Sequence, residues 1–253
     1  MLTRQDRPNP SAPPVQKLRL RYAKRGRLRF TSHRDIARAF ERALRRAHVP
    51  MAFSQGFNPH PKISWIGAAP TGVASEAEYV EIQLVEMLEP GKLVAMLDEA
   101  MPPGLDVLDV AVAAGGQSLA DRVEASRWRI ELPGVSASAL REAVAGVLAE
   151  PVVEVERLTK HGMRTIDARA AIVAMTVHDE THVSDPVPTD LPCGILEVVV
   201  RQTTPAVRPD DVLSALRVVA ALEPPVPAKA TRMAQGRLDD SGGLSDPLAP
   251  DRV

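Results

Sequence analysis

A change of hydrophobic period at Ser32 constrains the fold of this chain more than any other feature of its sequence. Before it, Leu18, Leu20 and Tyr22 alternate with Arg19 and Arg21, the period of two required by a strand with one buried face. After it, Ile36, Phe40, Ala43, Leu44 and Ala47 recur at helical spacing, while Arg34, Arg38, Arg42, Arg45 and Arg46 fall on the other side. Ser32 followed three residues later by Asp35 has the form of an N-terminal capping box, and Pro50 lies just past the helix end. The strand is expected to span residues 17–30, kinked at Gly26, and Phe30 and Phe40 are expected in the core.

The same alternation continues along the chain. Short strands are predicted over residues 63–67 and 79–85, a helix over 90–101 and a strand over 105–113, giving the order β-α-β-β-α-β. The pattern then recurs: strand 127–132, helix 136–149, paired strands 152–158 and 165–176, strand 195–202, helix 209–219 and strand 227–237. The expected class is α+β, with two ferredoxin-like halves at 17–115 and 125–237 arising by tandem duplication, the second carrying an extra strand. The proline-rich residues 1–16 and residues 238–253 are expected to be disordered tails, and 179–192 a loop or linker.

Charge is strongly segregated although the chain as a whole carries only −1. Residues 17–62 hold thirteen Lys and Arg against two acids, a net of +11. Residues 63–115 hold nine acids against one lysine, a net of −8. The two segments can neutralise each other in the fold, or the first can build a face for a polyanion. Aromatic residues favour the second reading, because seven of the eight lie before residue 80. Rings beside arginines suit unpaired bases. Between Phe53 and Lys62, two prolines, Gly56 and Asn58 mark a rigid loop that carries Phe57 and His60. A second basic feature is the hairpin tip with Lys160, His161 and Arg164.

Several function classes are excluded by composition. The lone cysteine, Cys193, rules out a disulfide framework, a self-contained iron–sulfur cluster and a multi-cysteine zinc site. The histidines have no metal-ligand spacing, and neither a phosphate-binding glycine loop nor a nucleophile elbow is present. No apolar run is long enough for a membrane span, and the first sixteen residues lack the apolar segment of a signal peptide. The expected location is the cytoplasm, with no membrane partner, no metal and no cofactor. The weak catalytic candidates are His33 and His60, which could act as general acid and base on an RNA 2′-hydroxyl if the fold brings them together.

The run from Lys17 to Asp35, KLRLRYAKRGRLRFTSHRD, and the run from Met51 to Ser64, MAFSQGFNPHPKIS, resemble an uncharacterised bacterial family, the radical-SAM-linked domain of unknown function. The resemblance continues through Gly67–Gly72, Ala77–Tyr79 and the hairpin at 160–169, covering about residues 16–235. It implies association with a radical SAM protein, in a form that stands apart from the radical SAM half. Such enzymes hold their cluster with three closely spaced cysteines, so a chain with Cys193 alone is expected not to carry that chemistry itself.

These features lead to an RNA-binding, non-catalytic module that presents structured RNA, tRNA or rRNA, to a radical SAM modifying enzyme supplied in trans. The expected RNA-binding residues are Arg25, Arg27, Arg34, Arg38, Arg42, Arg45, Phe57, His60, Lys62, Lys160 and Arg164. Two alternatives stay open: a protein-interaction subunit whose basic face docks an acidic partner, and a metal-independent RNA-processing enzyme using His33 or His60.

Overall fold

Residues 12–160, 162–179 and 192–252 are described by the computed structural model. The chain divides into two units, Met1–Arg122 with Pro247–Val253, and Val123–Asp246. His161 and residues 180–191, most of the expected linker, lie outside the described residues, as do residues 1–11 of the expected N-terminal tail.

In the first unit the elements run β1 (Gln16–Lys24), α1 (His33–Arg46), β2 (Ile63–Ile66), β3 (Ala74–Leu84), α2 (Pro90–Ala100) and β4 (Leu105–Val112). Their sheet order is β4-β1-β3-β2, every neighbouring pair antiparallel. Leu18, Leu20 and Tyr22 of β1 and Val80, Ile82 and Leu84 of β3 bury one face of the sheet beneath Phe40 and Leu44 of α1 and Leu93 and Leu97 of α2. Tyr22, Phe40 and Trp65 form an aromatic cluster, with ring centroids 5.4 to 6.1 Å apart, the tilted geometry that ring quadrupoles favour.

The second unit runs β5 (Ala125–Pro133), α3 (Ala137–Ala149), β6 (Glu154–Thr159), β7 (Gly162–Asp167), β8 (Ile172–His178), β9 (Cys193–Arg201), α4 (Pro209–Ala220), β10 (Lys229–Leu238) and β11 (Leu244–Ser245). Here the order is β10-β5-β9-β8, again antiparallel, with β11 added on β10. Strands β6 and β7 stand apart as a two-stranded hairpin. Leu140, Val144 and Val147 of α3 and Val212 and Leu216 of α4 are buried. Gly146 lets the two helices close: a Cβ there would lie 3.2 Å from Val219. The chain is thus an α+β protein with antiparallel strands and four α-helices among the described residues.

Four details differ from the sequence expectations. Strand β1 stops at Lys24, and residues Gly26–Phe30 form a 3-10 turn. Gly26 sits at φ +54°, a left-handed conformation that turns the chain out of the sheet at little cost to glycine. Phe30 is consequently exposed, beneath the Arg29 guanidinium at 4.7 Å, whereas Phe40 is fully buried. The expected strand at 165–176 is two strands, broken by a 3-10 turn at Arg169–Ala171. Residues 238–252, read from composition as a tail, contain β11 and a 3-10 turn, Ala249–Asp251. At the other end Gln16 is buried and locks onto the Leu88 backbone through two hydrogen bonds, of 2.7 and 3.0 Å.

Helix α1 begins where its cap predicts. The Asp35 backbone N–H donates to Ser32 Oγ at 3.2 Å, and the Ser32 hydroxyl donates to the Asp35 carboxylate at 2.7 Å. That second bond holds the Asp35 carboxyl below its usual range. Ser32→Ala should cost about 1 kcal/mol, read as a lower midpoint in urea with an unchanged m-value.

Candidate nucleic-acid interface

The charge of the basic segment divides between two elements with opposite fates. Along β1 it is neutralised in part, at Lys17 and Arg19. Register places Arg19 opposite Glu81, and Glu81 accepts from Arg19 at 3.1 Å and from Lys17 at 3.0 Å. Arg25, at the end of the strand, is held by Glu76 and by Asp106, the latter at 3.0 Å. Glu76, Glu81 and Asp106 belong to the acidic segment, so this part of the +11 is spent on packing one strand against its neighbours.

Along α1 the charge is left over. Ile36, Phe40, Ala43 and Leu44 are buried, while Arg34, Arg38, Arg42, Arg45 and Arg46 are exposed. Arg38 meets Asp35 at 3.4 Å, and Arg46 reaches back to the Ala100 carbonyl at 3.3 Å. Arg34, Arg42 and Arg45 make no hydrogen bond or ion pair among the described residues. Arg34, Arg38 and Arg42 repeat every four residues, a column of like charges that costs a helix about 0.2–0.5 kcal/mol per pair. Arg27, in the preceding 3-10 turn, is also exposed and unpaired among the described residues.

The loop from Phe53 to Pro61 is pinned at its base. The Ala52 N–H donates to the Gln83 carbonyl at 2.7 Å, and the Lys62 N–H to the Ala52 carbonyl at 2.8 Å. Phe53 bridges Pro61. One step further out, the Ser54 N–H donates to the His60 carbonyl at 2.8 Å and the His60 N–H returns to Ser54 Oγ at 3.0 Å. Phe57 stands at the tip, 85% exposed.

Two of the expected residues are not joined. His33 lies edge-on to Trp65 at 5.3 Å, and the His60 side chain is exposed. No hydrogen bond or ring contact links the two histidines among the described residues. Lys160 and Arg164 are exposed on the β6–β7 hairpin of the second unit. That hairpin is anchored by Arg157, which donates to Asp211 of α4 at 2.7 Å and to the Ala206 carbonyl at 3.1 Å. Burial pushes the Asp211 carboxyl up, against the opposing pull of the Arg208 N–H and of Arg157.

Residues 17–209 match a family described as an uncharacterized protein conserved in bacteria (DUF2344). The chain belongs to that family. Among curated proteins none matches it. The DUF2344 match takes in α1, the Phe53–Pro61 loop and the β6–β7 hairpin, and it stops at the first residue of α4. No helix among the described residues is long and apolar enough to cross a membrane.

Sequence reasoning missed a groove between the C-terminal end of α1 and the base of the loop, lined by Leu44, Arg45, Met51, Phe53 and others. Its residues are scattered over 41–61, and no periodicity marks them. The available signal was Phe53, an aromatic residue in a segment too rich in Gly and Pro to be a strand.

Proposed function

We propose that this DUF2344 chain is a non-catalytic RNA-binding module that presents structured RNA, tRNA or rRNA, to a radical SAM modifying enzyme acting in trans in the bacterial cytoplasm. The observation that carries the RNA reading is the arginine column of α1. Like charges set four residues apart destabilise a helix, Asp35 offsets only the first turn of the column, and phosphates spaced along a strand relieve the repulsion that is left. On this reading Lys62 and the exposed Phe57 and His60 also serve the RNA, the ring for a base and the cations for phosphate. The enzyme partner rests on the resemblance of residues 17–35 and 51–64 to radical-SAM-linked domains. The matching strand orders β4-β1-β3-β2 and β10-β5-β9-β8 support reading the units as ferredoxin-like halves of a tandem duplication, a scaffold that suits RNA but does not imply it.

One observation favours a protein contact elsewhere on the chain. Leu158 and Met163 face each other across the β6–β7 hairpin and are 76% and 60% exposed, beside Lys160 and Arg164. An apolar pair on a protruding hairpin suits docking to the enzyme partner.

The test is filter binding of the purified chain to labelled bulk tRNA and to rRNA fragments over a range of salt. Four phosphate contacts predict a slope of log K against log salt of about −3. A flat salt dependence, or no binding at low salt, excludes the RNA reading and turns the arginine face toward an acidic protein.

A further inference from the structure

We propose that the groove at the C-terminal end of α1 is a site for one unstacked nucleotide, with its base against Phe53 and its phosphate on Arg45. The inference deepens the RNA reading and rests on it. The groove has a volume of about 330 Å³, at the small end of the ~300–1,000 Å³ found for small-ligand clefts. Its floor is apolar and well packed: Leu44, Val49 and Met51 are all buried. Phe53 lines the groove and is 41% exposed.

The rim decides which ligand fits. Arg45 lines the groove and makes no ion pair among the described residues. Arg42 precedes it by one turn, so a strand whose base enters here continues onto the arginine column. His48, also at the rim, is a non-glycine residue at φ +51°. It is held there as the helix ends: the Val49 N–H donates to the Leu44 carbonyl at 3.0 Å and the His48 N–H to the Arg45 carbonyl at 3.1 Å. A left-handed histidine where glycine is the usual residue is retained strain, and its effect is to place an imidazole at the mouth.

Glu41 is the discriminating group. It lines the same groove and makes no hydrogen bond or ion pair among the described residues. An ionised carboxylate only accepts hydrogen bonds. It therefore repels the side chain of an acidic peptide, but it satisfies the N–H edge of a base. Guanine, with adjacent N1–H and N2–H donors, presents two donors to one carboxylate, more than any other RNA base offers on one edge. An apolar groove lined also by a cation and an acceptor thus describes a nucleotide with a donor edge, guanosine first.

The experiment uses the full chain and uridine heptamers carrying one central 2-aminopurine, guanosine or uridine. Binding should quench the 2-aminopurine fluorescence by stacking. Phe53→Ala should abolish the quench and weaken binding about ten-fold while leaving the salt slope unchanged, and Phe53→Tyr should restore both. Glu41→Gln should reduce the preference for the guanosine heptamer over the uridine one. Salt-dependent binding with a quench that survives Phe53→Ala, or is lost only in Phe57→Ala, overturns the groove site and leaves the RNA reading standing. No salt-dependent binding by the wild-type chain overturns the RNA reading and the groove with it.

Discussion

Replacing Asp251 with alanine is expected to lower the unfolding free energy by about 3–5 kcal/mol, the cost of leaving buried cations without their counter-charge. The Asp251 carboxylate is fully buried and accepts from Arg19 at 2.9 Å and from Arg122 at 2.6 Å. The Ala114 N–H adds a third donor at 3.1 Å. Arg19 and Arg122 are themselves nearly inaccessible. Arg19 retains Glu81 when Asp251 is removed, but among the described residues the Arg122 side chain keeps only the Pro247 carbonyl. Urea denaturation of the full chain measures the loss, and a difference under about 1 kcal/mol, the range of an exposed pair, would mean that this clamp contributes no more than a surface contact.

The clamp also sets a pH dependence with a definite sign. Burial by itself raises the Asp251 carboxyl. The hydrogen bonds from Arg122, Arg19 and the Ala114 N–H outweigh it, and the group is held below its ordinary value. For Arg19 burial lowers the pKa, but the bonds to Asp251 and Glu81 outweigh it and leave it raised, so it stays charged. A carboxyl depressed in the folded state stabilises fully above the unfolded value of about 3.9, and that stabilisation is lost as pH falls through the folded value. The gap in stability between wild type and Asp251→Asn should therefore narrow as the solution is taken below about pH 4. A gap that widens in acid would reverse the assignment.

Charge reversal on α1, with Arg34, Arg38 and Arg42 all replaced by glutamate, is expected to weaken RNA binding by more than about 100-fold at low salt. The slope of log K against log salt should lose about 2 to 3 units, roughly 0.7–0.9 for each phosphate contact removed. The three side chains are exposed, so the melting temperature should stay within a few degrees of wild type. Crosslinking in cells followed by sequencing of bound fragments provides the second readout: one RNA class enriched by the wild type and lost in the triple variant. Equal enrichment by both would remove α1 from the interface.

The two readings of the charge pattern are reconciled by where the elements end. A run of +11 followed by −8 does not say which basic residues meet which acids. In the structure the strand and the helix part company. Lys17 and Arg19 of β1 reach across the ladder to Glu81 of β3, because antiparallel register puts Arg19 beside Glu81. Charges on α1 lie on the face turned away from the core, where Arg34, Arg42 and Arg45 make no ion pair among the described residues. Neutralisation and surplus coexist, and Arg25 belongs with the first while Arg34, Arg42 and Arg45 belong with the second.

Sequence alone determined the elements whose signal is local. The period-two run of β1, the helical period and Ser32 cap of α1, the β-α-β-β-α-β order and the Gly- and Pro-rich loop at Phe53–Pro61 all follow from residues within a few positions of one another, where backbone sterics and alternation of burial dominate. Tertiary structure decided what depends on residues far apart in the chain. Asp251 reads as part of a polar tail until it is seen to close on Arg19 across 232 positions. The groove beside Arg45 exists only because the end of one helix and the base of a separate loop are fixed to the same sheet. A buried charge has no sequence period, since its position is set by the partner that compensates it, and that partner is placed by the fold.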